Sequence, residues 1–95
     1  MRHPDTDEIP ARRRKRLVFR ACHRGIREMD ILLGGYAKRR IAGLGEAELD
    51  RFEALLDEPD QLLLAWLTGQ MPAPDRLDLA MLDAIRRDAM LAQDK

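Results

Sequence analysis

Apolar residues three and four apart, cut at intervals by glycine and proline, constrain this chain more than any other feature. Leu17, Val18, Ala21 and Cys22 form one stripe, and Ile26, Met29, Leu33, Tyr36, Ala37 and Ile41 form a second. Ala47, Leu49, Phe52, Leu55 and Leu56 follow, then Leu62, Leu63, Trp66 and Leu67, then Leu77, Ala80, Met81, Ala84 and Ile85. Each set lines one face of a helix with 3.6 residues per turn. No stretch alternates with the period of two that a half-buried strand needs. Five stripes predict five helices, at about 11–23, 26–41, 46–57, 59–68 and 76–92.

The breaks between stripes support these limits. Gly25 separates the first two helices, and Gly43 and Gly45 stop the second. In Asp57-Glu58-Pro59-Asp60, proline suits the first helical position after an acidic cap. Gly69 suits a helix C′ position, and Asp75 is the expected cap of the last helix. Gly34-Gly35 lies inside the second helix, where each glycine costs about 1 kcal/mol relative to alanine. A kink or a close helix crossing is the usual reason for such a pair. Short links predict an all-α fold, a compact antiparallel five-helix bundle over residues 11–92. Residues 1–10, polar and carrying Pro4 and Pro10, are expected to be a disordered tail.

Ninety-five residues with 45% hydrophobic and 36% charged side chains make one small globular domain, too small to enclose a deep active site. A single cysteine, Cys22, excludes an internal disulfide framework. No apolar run reaches the roughly 18–20 residues of a bilayer span, so membrane insertion is not expected. The N-terminus has no apolar signal region, and Asp5, Asp7 and Glu8 argue against a mitochondrial presequence. A bacterial cytoplasmic location is therefore expected over the mitochondrial matrix, with the free protein monomeric. The formal charge of zero hides two unlike halves. Residues 1–42 hold 12 Lys/Arg and 5 Asp/Glu, and residues 43–95 hold 5 and 12. A basic half suits nucleic acid, a membrane surface, an acidic partner, or the acidic half of the same fold.

Enzyme chemistry has little support. Cys22 and His23 are adjacent, so on a helix they point about 100° apart and do not meet as nucleophile and base. No cysteine–histidine spacing suits a metal and no glycine loop suits a phosphate. Cys22, Tyr36 and Trp66 read as core residues. The run Arg12-Arg13-Arg14-Lys15-Arg16 supports an alternative, a small helical nucleic-acid-binding protein. No aromatic residue interrupts that run, and a solvated helix face accounts for it equally.

The densest chemistry lies at the first joint, Cys22-His23-Arg24-Gly25-Ile26-Arg27-Glu28-Met29-Asp30. Gly25 fits either the end of the first helix or the cap of the second. With Gly25 as cap, Glu28 falls at N3, where its carboxylate reaches back to free amides. Arg24 would then bond the last carbonyls of the first helix. Arg24, Gly25, Arg27, Glu28 and Asp30 are equally a candidate partner-binding surface.

Arg24-Gly25-Ile26-Arg27-Glu28, an R-G-x-x-E motif followed by Met29-Asp30-Ile31-Leu32-Leu33, resembles the succinate dehydrogenase flavinylation factors, SdhE-like assembly proteins. Leu44-Gly45-Glu46-Ala47-Glu48-Leu49, Phe52, Leu55-Leu56-Asp57, Pro59-Asp60, Leu63, Trp66-Leu67 and Gly69 extend the likeness over roughly residues 12–88. The resemblance implies a five-helix bundle. It also implies a chaperone-like assembly factor without catalytic residues or a cofactor of its own. Such a factor binds the flavoprotein subunit of succinate dehydrogenase, and in bacteria that of fumarate reductase. It promotes covalent attachment of FAD there. Arg24, Gly25 and Glu28 carry over as the motif residues of the contact surface.

Overall fold

Arg14, midway along the first helix, bonds the carbonyls of Ile41 and Leu44, and Gly34 lies against Cys22 at its end. The first two helices are thus antiparallel, and the rest of the bundle is laid against that pair. The computed structural model describes the backbone of residues 4–93 and the side chains of residues 11–92. Five helices are present among the described residues. Helix α1 is Pro4–Cys22. Helix α2 is continuous but changes pitch: α-helical over Arg27–Met29, a π turn over Asp30–Gly34, α-helical again over Gly35–Arg40. A 3₁₀ turn, Ile41–Gly43, leads out of it. Helices α3, α4 and α5 are Glu46–Leu56, Asp60–Leu67 and Leu79–Gln93.

Helix α1 starts at Pro4, not at residue 11, so the expected disordered tail is helical backbone over 4–10. Once the packed part of α1 is nucleated, extending it is far cheaper than starting a helix. Proline at the first position loses no hydrogen bond. Residues 1–3 lie outside the described residues. Helix α5 starts at Leu79, not at 76. The Leu77 amide bonds the Pro74 carbonyl at 3.0 Å in a turn that carries Leu77 into the core. Asp78, not Asp75, is then the cap, accepting the Met81 amide at 3.0 Å. The later start turns the helix so that Leu82 is buried and Ala80 is exposed. Pro59 precedes α4 in an extended conformation instead of opening it, and Asp60 is the first helical residue.

Other expected ends stand. Gly69 has φ +80, with its amide bonded to Trp66 and that of Gln70 to Ala65, the paired bonds of a Schellman ending. The Glu48 carboxylate accepts the Gly45 amide at 3.0 Å, closing the start of α3. The core joins Leu17, Met29, Leu33, Phe52, Leu63, Trp66, Leu82 and Ile85 from all five helices. Tyr36 lies in it as expected, its ring 5.6 Å from that of Phe52. Cys22 is half-buried at its edge.

The glycine pair has two distinct meanings. A Cβ on Gly34 would lie 2.8 Å from the Cys22 Sγ and 3.2 Å from the Cys22 Cα, so α1 and α2 cross too closely for any side chain. The π turn ends at this residue. A Cβ on Gly35 would meet only the end of the Arg39 guanidinium, at 2.9 Å.

Charge attraction then joins the basic and acidic halves. Arg13 pairs with Asp50 and Glu53, and Arg20 with Asp57, so α1 and α3 run in the same direction side by side. Asp88 of α5, the one buried charged residue among those described, accepts Arg39 at 2.6 Å and Arg40 at 3.1 Å. Burial pushes the Asp88 carboxyl up, but the bonds from Arg39 and Arg40 outweigh it and hold the group below the ordinary aspartate range.

Three outcomes follow. Gly34→Ala should lose about 1–3 kcal/mol of stability in urea denaturation, because backbone atoms stand in the way. Gly35→Ala should change stability by no more than about 1 kcal/mol in either direction, because the gain in helix propensity is opposed by the shift it forces on the Arg39 guanidinium bonded to Asp88. The Asp88 clasp sets a pH dependence. Its carboxyl titrates lower folded than unfolded, so its contribution is complete above the ordinary range near pH 4 and fades as pH falls through the depressed value. Asp88→Asn should be less stable than wild type at pH 7, with the difference shrinking as denaturation is repeated toward pH 3.

Candidate functional site

Gly25 makes the first joint. Its φ of +90 is a left-handed conformation that turns the chain from α1 into α2, and a Cβ there would meet nothing within 4 Å. Glycine is needed for its backbone, not for space. Ile26, extended at φ −118, is the residue before α2, so Gly25 is not its cap. Glu28 therefore falls at the second helical position, not the third. It makes no capping bond and, among the described residues, no ion pair; it is exposed. The expected reach-back of Glu28 is absent for this reason.

Arg24 is the larger correction. Its side chain is only 10% exposed and does not cap α1. The guanidinium reaches across to the adjoining α3–α4 corner, donating to the Leu56 carbonyl at 2.7 Å, the Glu58 carbonyl at 2.9 Å and the Asp60 carboxylate at 2.6 Å. Leu56 ends α3, where carbonyls have no helical partner, and Asp60 opens α4. One planar cation thus holds three acceptors of the α3–α4 corner. The Arg24 amide is held in turn by the Asp30 carboxylate at 3.0 Å, across the joint.

The five residues singled out in the sequence therefore divide. Arg24 and Asp30 face inward and fix the joint. Gly25, Arg27 and Glu28 remain on the surface of that fixed corner. Asp60 belongs to the same constellation and was missed as a site residue, although Pro59-Asp60 marked its place. Phe19 on α1 and His23 just past its end border it too. They line with Arg20, Arg24, Leu56 and Asp60 a shallow cleft of about 340 Å³.

The middle of the basic run is used within the fold. Arg13 pairs with α3, and Arg14 donates to the Ile41 carbonyl at 3.1 Å and the Leu44 carbonyl at 2.6 Å. Lys15 and Arg16 are exposed. Among the described residues no group of histidine, cysteine and carboxylate side chains could hold a metal, and no helix is long and apolar enough to cross a membrane.

The model of a family described as flavinator of succinate dehydrogenase matches residues 15–89. The chain is 40% identical over 85 residues to the FAD assembly factor SdhE of Acetobacter pasteurianus, covering 90% of this chain and 77% of that protein. It is 38% identical over 88 residues to the mitochondrial succinate dehydrogenase assembly factor 2 of Meyerozyma guilliermondii, covering 88% of this chain and 65% of that one. Against the factor of the same name from Mycosarcoma maydis it is 44% identical over 78 residues, 80% of this chain and 32% of that protein. The chain thus spans less than two thirds of the length of these two fungal relatives.

The Arg24 clamp predicts a stability cost. Arg24→Ala strands two carbonyls and a half-exposed carboxylate, and should lower stability by about 2–4 kcal/mol. Arg24→Lys should recover only part of it, because an ammonium cannot span three acceptors in one plane. Urea denaturation of the three proteins measures both effects.

Proposed function

Because the chain belongs to the family of flavinators of succinate dehydrogenase, we propose that it is an assembly factor for that enzyme, binding the flavoprotein subunit and promoting covalent attachment of FAD. One observation carries the reading. Glu28 is exposed and without a partner among the described residues, on a corner that Gly25 shapes and Arg24 holds rigid. An unpaired carboxylate on a fixed edge is poised to take a cation of another protein.

The mechanism is one of positioning. In this reading the attachment chemistry belongs to the flavoprotein subunit and its own FAD, and the factor contributes only binding. The factor selects the subunit conformation in which the accepting side chain and the flavin are aligned. Glu28 and Arg27 make the contacts, and Gly25 allows the partner's backbone to come close. Arg24 and Asp30 act at one remove by fixing the edge. A rigid edge loses little entropy on docking. Fumarate reductase, whose flavoprotein subunit is the second target implied by the resemblance, is included in the proposed range.

Glu28→Ala separates this reading from a structural role. The variant should keep the helical circular dichroism and melt within about 2 °C of wild type, as a surface substitution without contacts should. Covalent flavin on the dehydrogenase subunit, read as in-gel fluorescence after co-expression, should fall by about tenfold or more. Full covalent flavin with this variant would remove Glu28 from the docking edge.

A further inference from the structure

Four aromatic residues other than histidine occur in the chain, and three are buried: Tyr36, Phe52 and Trp66. Phe19 is the exception, with 61% of its surface exposed. It is not a loose side chain. Its ring stacks on that of His23, four residues on and just past the end of α1, with centroids 4.0 Å apart and planes 22° from parallel. His23 is itself fixed, its Nδ1 lying 2.8 Å from the Phe19 carbonyl oxygen. A carbonyl only accepts, so Nδ1 carries the hydrogen, and in the neutral ring Nε2 is left as an acceptor. The two rings form an ordered platform in water that no described contact within the chain needs.

The platform adjoins the motif. Phe19 and His23 line the same cleft as Arg24 and Asp60. The charges of that cleft are already satisfied within the fold, Arg20 by Asp57 at 2.8 Å and Arg24 by Asp60. What remains for an outside molecule is an aromatic face and an imidazole acceptor. Exposed, pre-ordered aromatic rings at a protein edge are typical binding anchors, since little rotamer freedom is lost when they are covered.

We propose that Phe19, backed by His23, is a second anchor for the flavoprotein subunit, taking an apolar side chain of that subunit on its ring and an N–H or O–H donor beside it on the His23 Nε2. This rests on the docking function proposed above and extends its contact surface from the Gly25–Glu28 edge back along α1. The corner that Arg24 fixes holds the two anchors in one rigid relation, so they engage a partner together.

The test measures binding of the full chain to purified flavoprotein subunit without covalent flavin, with melting temperature recorded for each variant. Phe19→Ala should melt within about 2 °C of wild type, because the ring is mostly in water. It should bind about tenfold more weakly, while Phe19→Tyr, which keeps the ring, should bind within about twofold of wild type. His23→Ala, which removes the backing ring, should weaken binding by about threefold. Covalent flavin should fall with Phe19→Ala at limiting factor and recover when the factor is in excess. Wild-type binding by Phe19→Ala, with Glu28→Ala impaired, would overturn the second anchor and leave the docking function standing. Absence of binding by the wild-type chain would overturn both. If Phe19→Ala fails to fold, His23→Ala decides alone: weaker binding supports the anchor and unchanged binding removes it. A wild-type dimer in sedimentation that Phe19→Ala dissociates, with flavoprotein binding unchanged, would assign the platform to a second copy of this chain instead.

Discussion

Three acceptors from two helices converge on one guanidinium. The last carbonyl of α3, the Glu58 carbonyl and the Asp60 carboxylate at the start of α4 all bond Arg24, which belongs to the loop between α1 and α2. Two helix junctions are thus made into one body. Without this cation the α3–α4 turn would carry unpaired carbonyls in a largely buried place, and the first joint would lose its tie to that turn. This clamp determines where the surface of the first joint stands relative to the remaining helices.

The same economy governs the unlike charges of the two halves. Arg13, Arg20, Arg24, Arg39 and Arg40 lie in the basic half, and each pairs with a carboxylate of the acidic half. A chain of this size has a limited core, so cross-helix pairs help to set which helices are neighbours and in which direction they run. Exposed pairs of this kind add little stability singly. The half-buried ones, Arg24–Asp60 and the two arginines on Asp88, have greater leverage because each would leave a desolvated group behind if broken.

For the proposed assembly role, this arrangement separates holding from touching. Arg24 and Asp30 hold; Gly25, Arg27, Glu28 and, further along α1, Phe19 are left to touch. A factor that aligns another protein's groups gains from stiffness, because motion within the factor would be passed on to the groups it aligns. The close crossing at Gly34, which admits no side chain, adds to that stiffness on the opposite face of the joint.

Helix number, approximate limits, the all-α class and the importance of the first joint follow from the sequence, because they depend on local periodicity and on residues that break it. Gly69 as a helix ending was legible for the same reason, whereas the Gly34-Gly35 pair marked a kink or a close crossing and only the fold placed the crossing at Gly34. Tertiary structure decided the direction of Arg24, the start of α5 at Leu79 and the inward turn of Arg13 and Arg14. Each depends on acceptors or core space supplied by residues roughly thirty or more positions away, or, for α5, on Leu77 being drawn into the core ahead of the helix. The R-G-x-x-E segment stood out from the sequence alone, as the place where a helix breaker and fixed charges of both signs crowd one joint. Only the folded chain divided that segment into residues that fix the corner and residues that face outward, because a charged side chain goes to the nearest unsatisfied partner and local sequence does not contain that partner.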